Sequence, residues 1–274
     1  FRLNIDHQIA PWLKLSATNL VINTRTQYPG DGGGIFFNIV LAEPDNNLYM
    51  ANPVDGQPYY LRHNHWSNER NPLYSTWKNK RDDVSQRWIG NYSANVKFTK
   101  WASLDVAHTI ESNNYHYTSY NPYDTWTIGG GGGNAYGITY TKGSLYKYFD
   151  HTMNQNTQAT LNIAPKKFND LTVRGKLSYL FEDKHYESFD VYSSQFAVRD
   201  LPTMENFTTI RDAGSQTQDI RARNYFGILS LDYKDRYLLD GMYRYDGSSL
   251  FGSDAKWAGY YRISGAYRIS EDIK

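Results

Sequence analysis

From Trp88 the chain alternates between apolar and polar residues: Trp88, Gly90, Tyr92, Ala94, Val96 and Phe98 stand against Ile89, Asn91, Ser93, Asn95, Lys97 and Thr99. A period of two marks a strand with one face in an apolar medium and the other in water. The pattern returns with Ala102, Leu104, Val106 and Ile110 against Ser103, Asp105, Thr109 and Glu111, where His108 is the exception on the apolar side. It recurs from Leu171 to Phe181, from Tyr237 to Tyr245 and from Gly259 to Ile269. These stretches reach about ten residues, the length a tilted strand needs to cross a bilayer. Strands of soluble proteins average about five or six. The pattern predicts about nine such strands.

The connections alternate in length. Short turns fall at Ala10-Pro11-Trp12, at Lys100-Trp101, across Pro165 to Asp170 and at Lys234-Asp235-Arg236. Long polar insertions are expected at 27–83, 113–143 and 193–217, with a smaller one at 250–257. Outer-membrane barrels have this layout, with short periplasmic turns and long extracellular loops. Trp12, Trp101, Phe168 and Tyr237 flank the short turns, where an aromatic girdle would meet the periplasmic interface. The expected fold is therefore all-β, a transmembrane antiparallel β-barrel of the bacterial outer membrane. An odd strand number cannot close a single-chain bacterial barrel, and an open edge in hydrocarbon leaves backbone groups unsatisfied at several kcal/mol each. Residues 1–274 accordingly read as part of one larger barrel domain, with 27–83 as an extracellular loop insertion. A soluble sandwich or β-rich binding module is the alternative.

Composition agrees with the pattern. The 274 residues include 25 Tyr, 12 Phe and 7 Trp, and Tyr, with an apolar ring and a wet hydroxyl, suits boundaries between hydrocarbon and water. A mean hydropathy of -0.69 is compatible with a barrel, because water-facing residues dilute the lipid-facing ones. No run of about 18 apolar residues occurs, which excludes a transmembrane helix. The net charge of +1 gives no footprint for nucleic acid. With no cysteine, the chain has neither disulfides nor cysteine-ligated zinc. Phe1 to Asp6 already reads as a strand rather than a signal peptide, as if the sequence began within the fold.

Several stretches resemble the SusC/RagA family of TonB-dependent transporters. The strongest is Tyr243 to Gly252, YRYDGSSLFG, followed by Ala266-Tyr267-Arg268-Ile269-Ser270-Glu271-Asp272. Leu250 departs from that pattern by standing where a second arginine is common. Supporting stretches, in matching order, are Ile5 to Ile9 with Trp12 to Leu15, Asn71-Pro72-Leu73 after the Asp55-Gly56 turn, and Arg87 to Asn91. The resemblance implies the middle of a barrel of about 22 strands, without the family's plug, TonB box and terminal strands. It further implies active import of a bulky nutrient, oligosaccharide before peptide, with a SusD-like surface lipoprotein as lid and the TonB complex pulling on regions outside these residues. A passive or structural porin is the other membrane reading.

Tyr59, Tyr60, Trp66, Trp77, Tyr123 and Trp126 fall in expected extracellular loops, where aromatic rings can stack on sugars or grip peptide side chains; packing of the loops themselves is the competing use. Arg174, Lys176, Asp240, Arg244, Arg262 and Arg268 belong to the polar register and are expected to face the lumen, pairing with one another and contacting a plug. The run Gly129 to Gly133 lacks the Lys-Ser/Thr of a phosphate loop and reads as flexible chain. The glycine cluster around Asp31 leads into Ile35 to Leu41, an apolar stretch suggesting a packed extracellular subdomain or a short helix facing a partner. His63 and His65 supply two zinc ligands where three or four are needed. Asp31, Asp45 and Asp55 lack the acidic repeat of a calcium loop. His108 and Asp105 lie on opposite faces and cannot form a catalytic pair. Neither a metal, a cofactor nor an enzymatic activity is expected.

Overall fold

The computed structural model describes residues 1–29, 35–41, 44, 47–53, 55–60, 71–128 and 138–271. Its strands are β1 (Arg2–Ala10), β2 (Leu13–Pro29), β3 (Lys80–Lys97), β4 (Ala102–Asn121), β5 (Thr125–Ile128), β6 (Ile138–Thr141), β7 (Ser144–Phe168), β8 (Leu171–Phe196), β9 (Phe207–Tyr233), β10 (Tyr237–Ser248) and β11 (Trp257–Tyr267). Nine of them form one antiparallel meander in the order β1-β2-β3-β4-β7-β8-β9-β10-β11, while β5 and β6 pair as a separate hairpin. Two short helices, α1 (Ile35–Leu41) and α2 (Pro72–Lys78), lie between β2 and β3. No helix among the described residues is long and apolar enough to cross a membrane.

The register carries the alternation across the whole sheet. One rung reads His7, Leu15, Ala94, Val106, Ala159, Tyr179, Tyr225, Tyr245, Gly259. The rung one residue away reads Gln8, Lys14, Asn95, Asp105, Thr160, Ser178, Phe226, Arg244, Tyr260. A slip of one residue would exchange the two faces completely. The apolar face is uncovered by protein: Tyr92, Leu177 and Ile263 are 36%, 58% and 72% exposed. Among the described residues the buried apolar side chains are Tyr74, Leu145 and Phe196, all at the extracellular end. A soluble sandwich would bury one face of every strand, so that alternative fails. The medium that covers this face is lipid, and the molecule is a multi-pass outer-membrane barrel protein.

His108, the polar residue in the apolar register, places Nδ1 2.8 Å from the Thr157 hydroxyl on the neighbouring strand. The pair satisfies itself locally within the apolar register. Short connections at one end use tight geometry; Lys234 and Asp235, between β9 and β10, have φ of 56° and 55°.

Three of the four expected insertions are shorter in the structure. The link from β2 to β3 runs 30–79, the stretch expected at 113–143 shrinks to 122–143 and holds the β5–β6 hairpin, and that at 193–217 shrinks to 197–206. Above the bilayer water wets both sides of the sheet, so the apolar alternation disappears while the backbone ladder continues.

Candidate functional site

The sheet rises past the membrane and its polar face becomes aromatic there. Tyr28 on β2, Tyr115 and Tyr117 on β4, Tyr146 and Tyr148 on β7, and Tyr186 and Tyr192 on β8 all belong to the polar register. Alternate positions such as Tyr115 and Tyr117 point the same way because the strand period is two. Tyr115 lies 6.1 Å from Tyr148 and Tyr117 5.6 Å from Tyr146, both edge to face. The Arg81 guanidinium is held between the rings of Tyr28 and Tyr117 at 4.6 and 4.7 Å, and its Nε is 3.5 Å from Asp83. The Tyr115 hydroxyl donates to Asp83 at 2.9 Å, and the Tyr148 and Tyr186 hydroxyls meet at 3.0 Å. The result is a wall of ring faces with fixed hydroxyls and carboxylates between them, suited to a ligand with both apolar and hydroxyl-bearing surfaces. Sequence reasoning missed these tyrosines by assigning part of their stretches to loops; the Tyr-x-Tyr spacing at 115/117 and 146/148 is the signal that could have found them.

Above this wall the loops form a folded cap. Asn71 caps α2, accepting from Leu73 N at 3.0 Å while its amide donates to Leu48 O at 2.7 Å; Pro72 follows at the first helical position, where its missing N–H costs nothing. The Tyr74 hydroxyl donates to Gln57 at 3.2 Å, and Gln57 donates to Asp124 O at 3.2 Å, joining α2 to the start of the β5–β6 hairpin. Asn52 donates to the Tyr140 hydroxyl at 3.0 Å. Arg199, from the β8–β9 link, pairs with Asp124 at 3.0 Å and covers the Tyr123 ring at 4.8 Å. Burial pushes the Lys78 ammonium below its ordinary pKa and the Tyr140 hydroxyl above its own.

Of the loop aromatics singled out above, Tyr59 and Trp77 come together at 6.2 Å, extended by Tyr49 against Tyr59 at 6.1 Å and Tyr74 against Trp77 at 5.9 Å. Tyr60 donates its backbone N–H to Met50 O at 2.7 Å. Tyr123 stands apart, under Arg199. Trp126 sits in β5 opposite Tyr140, and Trp66 lies outside the described residues, as do Asp31, Asp45, His63, His65 and Gly129 to Gly133. Helix α1 leaves Phe36 and Phe37 71% and 66% exposed.

The six charged positions all fall in the polar register or at its periplasmic end. Arg174 and Asp240 both oppose Ser230, whose hydroxyl donates to Asp240. Arg244 pairs with Asp246 at 2.6 Å, and Arg268 reaches Asp232 at 3.5 Å and donates to Asp235 O at 3.1 Å. Lys176 and Arg262 flank β9 and β10, and with Arg174 they have no carboxylate partner among the described residues. No group of three metal-binding side chains converges among the described residues.

No family model matches the chain. TonB-dependent receptor P39 of Formosa agariphila is 25% identical over 256 residues, covering 91% of this chain and 23% of that receptor. TonB-dependent receptor P26 of the same organism is 47% identical over 49 residues, 18% of this chain and 5% of its own length. The RagAB peptide transporter superimposes on 98% of this chain and 30% of its own with a TM-score of 0.76 at 16% identity, a likeness of fold. The chain thus spans less than a quarter of the length of the curated relatives and less than a third of that solved structure. These relatives are receptors and transporters rather than enzymes. Along most of its length the chain is thus similar in sequence to a TonB-dependent receptor, and it shares the fold of part of an outer-membrane transporter β-barrel.

Proposed function

We propose that the receptor containing this chain actively imports a bulky oligosaccharide across the outer membrane, with a SusD-like surface lipoprotein as partner and the TonB complex acting through regions outside these residues. One observation supports the cargo assignment: seven tyrosines line the inner face at the extracellular mouth, the Tyr115 hydroxyl bonded to Asp83 and those of Tyr148 and Tyr186 to each other. Sugars present an apolar C–H face and a rim of hydroxyls, which such a wall can stack and bond. Tyr59, Tyr60, Trp66, Trp77, Tyr123 and Trp126, in the expected extracellular loops, would make first contact. Arg174, Lys176 and Arg262, which lack carboxylate partners among the described residues, would face the lumen and meet a plug domain. Further strands of the same domain would pair with the free edges of β1 and β11, and the 27–83 insertion would lie outside the cell.

Peptide cargo is the second reading. RagAB is a peptide transporter, and Asp150 and Asp190 stand beside the tyrosines to meet a cationic terminus.

A strain lacking the full gene is expected to lose growth on one class of defined oligosaccharide while growing normally on peptides and monosaccharides. Complementation with Tyr117→Ala/Tyr148→Ala should restore barrel levels but slow uptake roughly tenfold, from about 0.7 kcal/mol lost per ring. Loss of growth on peptides alone would reverse the cargo assignment. Uptake that persists after the proton gradient is collapsed would replace the importer with a porin.

A further inference from the structure

On the lipid-facing side, at the extracellular edge of the apolar band, β8, β9, β10 and the start of β11 enclose a cleft of about 510 Å³ lined by Phe181, Asp183, Arg221, Arg223, Lys256 and Trp257. The bottom is apolar: Trp257 stacks on Tyr245 at 4.9 Å with an 11° interplanar angle, and Tyr225 lies beside Tyr179 at 5.2 Å. Gly247 makes the room, since a Cβ there would stand 2.5 Å from the Trp257 ring. The top is cationic. Arg221 is partly neutralised by Asp183 at 3.3 Å, whereas Arg223 and Lys256 pair with no carboxylate among the described residues. Ser249 holds the arrangement, accepting at Oγ from Arg221 N at 2.9 Å and donating its own N–H to Arg221 O at 2.8 Å. Lys256 O accepts from Ser248 N at 3.1 Å.

Height identifies the occupant. Tyr233 opposes Tyr237 at the periplasmic end of the band, and Arg223 lies ten residues further along β9. At about 3.3 Å per residue and a tilt of about 40°, that is roughly 25 Å, the thickness of the apolar band of such barrels. Arg223 therefore stands where the acyl chains of the outer leaflet end and their headgroups begin. An unpaired guanidinium and ammonium over a ring-lined floor match a phosphate joined to acyl chains, the phosphate taking charge-assisted bonds and the chains lying on Trp257 and Tyr225.

We infer that this cleft binds a phosphorylated glycolipid of the outer leaflet, with Arg221, Arg223 and Lys256 on the phosphate. The inference rests on the barrel's orientation and is independent of the cargo.

The test uses the purified full-length receptor in detergent, with retained lipid counted by native mass spectrometry. Its three probes are an acylated disaccharide bearing two phosphates, the same glycolipid with both phosphates removed, and inorganic phosphate. The wild-type receptor should retain the phosphorylated form roughly tenfold better than the dephosphorylated one. Arg223→Gln/Lys256→Gln should abolish that preference, and Arg174→Gln/Lys176→Gln on the opposite face should leave it intact. Equal retention by the Arg223/Lys256 variant, equal loss in the Arg174/Lys176 variant, or displacement of the glycolipid by inorganic phosphate at equal concentration would overturn the assignment. If the Arg223/Lys256 variant fails to assemble, absence of any phosphate preference in the wild-type receptor overturns it alone.

Discussion

Leu177→Arg is expected to remove most of the receptor from the outer membrane, while Ser178→Arg, one residue away, leaves its level nearly unchanged. Leu177 sits in the middle of the uncovered apolar face, level with Leu161 on β7 and Gly227 on β9, and is 58% exposed. A charge at the midplane of the lipid face costs about 2–4 kcal/mol, a shift of roughly thirtyfold to a thousandfold in the insertion equilibrium. No acidic residue on that face is near enough to relieve it: the flanking positions in the rung are Leu161, Gly227 and Tyr243. Ser178 belongs to the other register, beside Thr160 and Gln158, where an arginine remains in water. Heat-modifiable mobility of receptor in isolated outer membranes measures both variants. The opposite ranking would mean that the two faces had been assigned the wrong way round.

Gly143→Val should open the extracellular cap without disturbing the barrel. Gly143 has a φ of +79°, and a Cβ added there would stand 2.4 and 2.5 Å from the Phe196 ring and 2.8 Å from the Asn121 carbonyl oxygen. The ring has nowhere to go, because Phe196 is 3% exposed and packed against Phe207 at 4.1 Å and Tyr120 at 5.6 Å. The carbonyl is part of the backbone at the end of β4 and cannot swing aside cheaply. Left-handed strain in a β-branched residue adds about 1–3 kcal/mol, and overpacking adds about as much again. Trypsin added to intact cells should cut the extracellular loops at least about tenfold faster, since cleavage follows the open population. Gly252→Val is the control: Gly252 has a φ of -58° and open space around its Cβ position. Equal protease resistance in the two variants would mean that the cap is not anchored at Phe196.

The membrane-spanning part of the fold was legible because a bilayer forces each residue to choose a face. Trp88 to Phe98, Ala102 to Ile110 and Leu171 to Phe181 register across the sheet as their alternation requires. That constraint ends where the strands emerge into water. Residues such as Asn114, His116 and Lys147 on the outer side and Tyr115 and Tyr148 on the inner side are all compatible with water, so period two carries no contrast and the strand ends look like loops in the sequence. The cap was illegible for another reason. Its contacts join residues far apart in sequence, such as Asn52 with Tyr140 and Gln57 with Asp124, and no local pattern announces such pairs. The apolar stretch at Ile35 to Leu41 did stand out, and it forms α1. The charged set at Arg174, Lys176, Asp240, Arg244, Arg262 and Arg268 followed from register alone. The tyrosine wall required knowing that β4, β7 and β8 continue beyond the membrane.

Spin labels placed one at a time at cysteines substituted along residues 171 to 182 of β8, in receptor reconstituted into vesicles, test the account at its root; the chain has no cysteine of its own to compete. Collisions with lipid-soluble oxygen should peak at positions 173, 175, 177 and 179, and collisions with a water-soluble nickel chelate at 174, 176, 178 and 180. Nickel collisions at both sets alike, or a repeat near 3.6 residues, would contradict a strand that divides hydrocarbon from a watery interior.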